Sequence, residues 1–160
     1  MNRRLLRRRM TSLLLLAVLG VSGGNPASVE FHKGEESTKR EDWNNAIAHY
    51  TEAVRLKPSY AEAYFKRGNA YLHLENFNRA LKDYEEAIRL APDNATAYRN
   101  RGIVQFQKRD YDRAIRDYTE ATRLEPDSKT SYFNRGDMHM NKQQYDKAIE
   151  DYIDAIRGRR

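Results

Sequence analysis

Gly34, Gly68, Gly102 and Gly136 stand 34 residues apart, and further series keep the same step. Ala46, Ala80, Ala114 and Ala148 form one; Ala53, Ala87, Ala121 and Ala155 form another. Tyr50, Tyr84, Tyr118 and Tyr152 repeat in register, as do Pro58, Pro92 and Pro126. Trp43, Phe77, Tyr111 and Tyr145 are an aromatic series with the same step. A fixed period of this size marks a repeat architecture, in which no unit can bury its apolar face alone and neighbours stack to bury it together. Within a unit, residues such as Ala63, Tyr64, Phe65, Ala70, Tyr71 and Leu72 recur at helical spacing. Each unit therefore reads as two antiparallel helices.

A glycine inside a helix costs about 1 kcal/mol relative to alanine, so four in register demand a packing reason. The expectation is that the missing side chain lets the two backbones of a unit approach closely. The small alanines 12 and 19 residues later suit the facing helix for the same reason. Aromatic residues at the helix ends would wedge between units, and each proline would stop the second helix.

Tyr64, Gly68, Tyr71, Ala80, Tyr84 and Pro92 follow the pattern aromatic-x-x-Leu-Gly-x-x-Tyr, then Ala-x-x-x-aromatic, then Pro, with Arg67 at the leucine place. On these residues the chain resembles the tetratricopeptide repeat family over residues 27–160. The resemblance implies an all-α, right-handed superhelical solenoid of antiparallel helix pairs. Its units would be 27–60, which is degenerate, then 61–94, 95–128 and 129–160.

The departures from the pattern carry expectations of their own. Glu30 stands at the Tyr64 site and Ser37 at the Tyr71 site, so the first helix of unit 1 is either frayed or a polar end cap. Arg67, Arg101 and Arg135 replace an apolar residue, and Asp83, Asp117 and Asp151 follow sixteen residues later. Two readings fit: Arg–Asp pairs between the helices of a unit, with the arginine stems on apolar surface, or two independently solvated series. Lys33 and His49 hold those two places in unit 1. The sequence stops at Arg160, where the terminating proline would fall, with no capping helix after it. Solenoids need polar caps for solubility. Tyr145, Ile149, Tyr152, Ile153 and Ile156 are thus candidates for an uncovered apolar end, through which copies could self-associate head to tail.

The first 24 residues differ in kind. An arginine-rich start, an apolar run from Leu13 to Val21 and the small residues Ser22, Gly23 and Gly24 have the layout of a secretory signal peptide. Cleavage after Ser22 and cleavage after Gly24 both fit. Nine apolar residues are too few to span a bilayer, which takes about 20, so no membrane span is expected in the mature chain. Export, to a periplasm or outside the cell, is the expected destination; a mitochondrial transit peptide is the alternative. The chain has no cysteine, which excludes disulfides and a cysteine-linked lipid anchor. The net charge of +6 also belongs mostly to this segment, which holds five arginines and no acid; the remainder carries 24 basic and 23 acidic residues. Nucleic acid, which needs clustered cations, is not an expected partner.

No catalytic or metal chemistry is legible. His32, His49, His73 and His139 form no ligand spacing, and His139 sits at the Tyr71 place, which suits packing. There is no nucleophile elbow, P-loop or dinucleotide fingerprint. Neither a cofactor nor an enzymatic activity is expected. What remains is surface shape. By the resemblance, the first helix of each unit lines a concave groove that binds another protein or an extended peptide. Helical spacing away from the glycine selects Phe65, Lys66, Asn69 and His73 in unit 2. It selects Arg99, Asn100, Ile103 and Gln107 in unit 3, and Phe133, Asn134, Asp137 and Asn141 in unit 4. Phe31, His32 and Glu35 are the unit 1 counterparts. Asparagine amides would bond a peptide backbone, Phe65, Ile103 and Phe133 would supply apolar contact, and Lys66 and Arg99 would hold a carboxylate. The family's carboxylate clamp fits poorly, because Phe65, Thr130 and Asn134 stand where it needs cations.

Overall fold

The computed structural model describes residues 25–157; the leader reading for residues 1–24 lies outside them. The described residues form eight helices and no strand: α1 (Pro26–Lys39), α2 (Trp43–Leu56), α3 (Ala61–His73), α4 (Phe77–Leu90), α5 (Ala95–Gln107), α6 (Tyr111–Leu124), α7 (Lys129–Asn141) and α8 (Tyr145–Arg157). Each odd-numbered helix packs on the even one that follows it, and each even one on the next odd one. The result is a row of four helix pairs, in which most contacts run between consecutive helices and a few join one odd-numbered helix to the next.

Local chemistry sets the ends. Asn25 caps α1 through Ala27 N–H, with Pro26 in the first turn, where its missing N–H costs nothing. Asp42, Asn94 and Asp110 cap α2, α5 and α6 by accepting from Asn45, Ala97 and Arg113 N–H. Helices α2, α4 and α6 end at Leu56, Leu90 and Leu124, two residues before the prolines, and the residue before each proline is extended. The tight turns inside the units use left-handed backbone at Glu41, Glu75, Arg109 and Gln143, with φ between 54° and 60°. The next residue's N–H then closes the turn onto the helix, as in Asn76 N–H to Tyr71 C=O at 2.8 Å.

The glycines do something other than bring backbones together. A Cβ on Gly34, Gly68, Gly102 or Gly136 would lie 2.5, 2.8, 3.0 or 2.7 Å from the ring of Tyr50, Tyr84, Tyr118 or Tyr152. The space is filled by a tyrosine ring sixteen residues later, and this corrects the close-backbone expectation. The alanine series does line the junctions: Ala46, Ala80, Ala114 and Ala148 are fully buried. Tyr50, Tyr84 and Tyr118 are the largest of the fully buried side chains together with Tyr132.

Helix α1 is a full fourteen-residue helix, so the frayed alternative falls. Its polar substitutions are satisfied: Glu30 accepts from Lys33 at 2.6 Å and pairs with His49 at 2.8 Å. Lys33 and His49 together hold the Glu30 carboxyl below its ordinary range.

Candidate peptide-binding groove

Successive odd-numbered helices meet along one side of the row. Lys66 Nζ on α3 lies 4.0 Å from Glu35 on α1, and Asn100 Nδ2 on α5 donates to Asn69 Oδ1 on α3 at 2.9 Å. These contacts identify the inner face. The tyrosines that fill the glycine gaps surface there: Tyr84 Oη donates to Asn69 Oδ1 at 2.8 Å, Tyr152 Oη to Asp137 Oδ1 at 2.8 Å, and Tyr50 Oη pairs with Thr38 at 3.1 Å. Tyr118 has Ile103 in place of that acceptor and Asn134 beside its hydroxyl. Burial pushes the phenols of Tyr84 and Tyr118 up, and burial with Asp137 pushes that of Tyr152 up to about 12. All of them therefore remain protonated donors at neutral pH, and the core sets the amides of the inner face.

The candidate residues divide by what holds them. Asn69 spends its carbonyl on Tyr84 and Asn100; the Asn69 amino group and the Asn100 carbonyl have no partner among the described residues. Phe133 is exposed, its ring 5.8 Å from that of Tyr152, whereas Phe65 and Ile103 are half-buried in the core clusters. Phe31 is buried against Tyr50 and Tyr60. His73 stacks on Trp43 with ring centroids 4.0 Å apart and planes at 5°. Asn141 donates to the Asp137 carbonyl, and Gln107 is exposed.

Arg99 holds units together. It donates to Thr96 at 3.0 Å, and across the junction to Glu125, Ser128 and Ser131 at 3.1, 3.2 and 3.3 Å. Its guanidinium is thus already occupied, and the carboxylate-holding role expected for it finds no free donor fork. Sequence reasoning passed over Phe106 and Met140, exposed apolar residues seven positions beyond Arg99 and Phe133 on the same helix faces. The signal was there in the spacing. The inner face therefore runs from a charged stretch at His32, Glu35 and Lys66, through the asparagine amides, to an apolar stretch of Phe106, Phe133 and Met140.

On the side of the odd-numbered helices away from the groove the three ion pairs form. Arg67, Arg101 and Arg135 grip Asp83, Asp117 and Asp151 with two nitrogens each, the shortest contacts being 2.7, 2.7 and 2.5 Å. Tyr64, Tyr98 and Tyr132 lie under the guanidiniums at 5.4, 5.6 and 5.4 Å. Burial pushes the Asp83 carboxyl up, with Arg67 pulling it back. Desolvation thus opposes the attraction, and such pairs serve registry between helices more than net stability. His139 is buried, pairs with Gln144 at 2.8 Å and sits 3.8 Å from Asp151. Among the described residues no group of side chains could hold a metal ion, and no helix is long and apolar enough to cross a membrane.

Eight paired helices with a continuous inner face define a helical-repeat solenoid of the kind that serves as a protein–protein interaction module. A family profile described as TPR repeat matches residues 34–75 and 68–109, and one described as tetratricopeptide repeat matches residues 100–160. The chain belongs to the tetratricopeptide repeat family, with its right-handed superhelical architecture. Comparison with curated protein sequences gives no match. Among solved structures it is similar to a crystal structure of MamA, with 25% identity, a TM-score of 0.81, and 83% of this chain and 78% of that one covered. The Arabidopsis OM64 TPR domain is 32% identical, with a TM-score of 0.71 over 74% of this chain and 99% of that one. The first TPR of Spaghetti (RPAP3), bound to the HSP90 peptide SRMEEVD, is 25% identical, with a TM-score of 0.73 over 78% and 99% of the two chains.

Proposed function

We propose that this chain is an adaptor that works by binding, without catalysis, and that it holds a peptide segment of a partner protein along its inner face. The observation that carries the reading is the apolar stretch of Phe106, Phe133 and Met140, left exposed beside amides that the core tyrosines hold in place. A relative of similar architecture is bound to the acidic peptide SRMEEVD. Here Arg99 is spent on unit 4 and Lys66 sits beside Glu35, so an acidic terminus has little to grip. The favoured ligand carries aliphatic or aromatic side chains, with its backbone bonded by Asn69, Asn100 and Asn134.

Peptides selected from a random library by the chain should be rich in such side chains. The Asn100→Ala, Phe133→Ala double variant should bind them at least about tenfold more weakly, equivalent to about 1.4 kcal/mol. Enrichment of acidic peptides, or equal binding by the variant, contradicts the reading.

Export is proposed on the leader alone. Amino-terminal sequencing of the protein from its native source should begin just after Ser22 or Gly24. An intact Met1, or recovery from mitochondria, would contradict it.

A further inference from the structure

The two ends of the solenoid differ, and the difference says what the apolar end fits. At two of the three inner junctions the arginine of a unit reaches back to the preceding helix: Arg67 to Thr51 at 3.1 Å, Arg135 to Thr119 at 3.3 Å. Glu85 holds the same place on α4, and Ile153 holds it on α8. At the other end, Glu30 and Lys33 stand where the inner units carry the stacked tyrosine and arginine. A second copy stacked head to tail would therefore press Glu30 and Lys33 onto Ile153, burying polar groups against an apolar side chain. The head-to-tail stack expected from sequence is the poorer fit.

The apolar end instead matches itself. Tyr145, Ile149, Ile153 and Ile156 are 55, 55, 40 and 68% exposed, and they fall at i, i+4, i+8 and i+11, a single stripe along α8. Val54 and Ile88, the counterparts of Ile156 in units 1 and 2, are 8 and 9% exposed under the next unit. Tyr152, expected in this set, turns away: its ring fills the gap at Gly136 and its hydroxyl bonds Asp137. Asp146 and Arg157 sit eleven residues apart, about three helical turns, and so lie on one flank of the stripe, at opposite ends.

The geometry points to a second copy of this chain as the occupant, docked with α8 antiparallel to α8 about a two-fold axis between Ile149 and Ile153. That axis sets Ile149 of one copy over Ile153 of the other. It also brings like flanks together with their ends reversed, so Asp146 of each copy meets Arg157 of the other. A parallel arrangement would pair neither. The interface is isologous, so assembly closes at two chains and leaves both grooves free.

Sedimentation equilibrium on the full chain, across roughly 1 to 200 µM, decides it. The wild type should approach twice the chain mass, since a single-helix interface is small and its affinity falls in the micromolar range. Ile153→Asp should stay monomeric. Asp146→Arg and Arg157→Asp should each weaken the dimer about tenfold, and the Asp146→Arg, Arg157→Asp double variant should bring it back to within about threefold of wild type. Circular dichroism should show unchanged helix content in all four, because none of these side chains is buried. A wild-type monomer at the highest concentration overturns the proposal. So does mass growing past two chains, association that survives Ile153→Asp, or a charge swap that fails to restore the dimer.

Discussion

Asp117→Ala should destabilise the chain by about 3 kcal/mol, far more than an ordinary surface charge. Asp117 is 4% exposed and accepts from Arg101 Nε and Nη2 at 2.8 and 2.7 Å. Removing the carboxylate leaves the guanidinium wedged over Tyr98 and against α6 with no acceptor. Losing one partner of a buried pair costs about 3–5 kcal/mol, and the partial exposure of Arg101 places this case at the lower end. Replacing both partners, as in Arg101→Met with Asp117→Leu, should recover most of the loss, because nothing charged is then left unpaired. Glu120→Ala, which breaks an exposed pair with Arg123, should leave the melt almost unmoved. Chemical denaturation of the four proteins checks the series. An Asp117→Ala variant as stable as wild type would mean that Arg101 finds water freely and the pair is ornamental.

Gly68→Ala should lower stability by about 1–2 kcal/mol, although alanine is the better helix former. The substitution gains about 1 kcal/mol of propensity and sets a methyl carbon 2.8 Å from the Tyr84 ring. That ring is fully buried, and its hydroxyl is tied to Asn69, so it cannot swing aside cheaply. Overpacking of a well-filled core costs about 1–3 kcal/mol, and here more than the propensity gain. The test is a double-mutant cycle with Tyr84→Leu, read by denaturant unfolding. Against leucine at position 84, Gly68→Ala should become neutral or stabilising. A Gly68→Ala variant more stable than wild type would show that the glycine serves something other than the ring.

Helices and ion pairs were legible because period and chemistry agree: an arginine at one place and an aspartate sixteen residues on recur in three units. What the tyrosine ring does at each glycine was hidden, since spacing reports which residues share a face and not which fills a gap. The left-handed positions Glu41, Glu75, Arg109 and Gln143 are neither glycine nor asparagine, so their backbone conformation had no sequence marker. In the groove, Arg99 looked like a free cation. Its four acceptors come mostly from Glu125, Ser128 and Ser131, about 30 residues away, a distance no local pattern spans. Tyr152 was assigned to the apolar end because α8 is amphipathic over most of its surface, and only packing against Gly136 separates it from Ile149 and Ile153.

If the inner face binds a peptide, its side-chain amide resonances report the binding directly. Titration of the isotope-labelled chain with a library-selected peptide should shift the Asn69, Asn100 and Asn134 amide signals along one common saturation curve. In the Phe133→Ala, Asn100→Ala variant the remaining Asn69 and Asn134 signals should need at least about tenfold more peptide to reach the same shift. Shifts confined to α8, or amides that stay still while binding proceeds, would contradict groove binding and move the binding surface elsewhere.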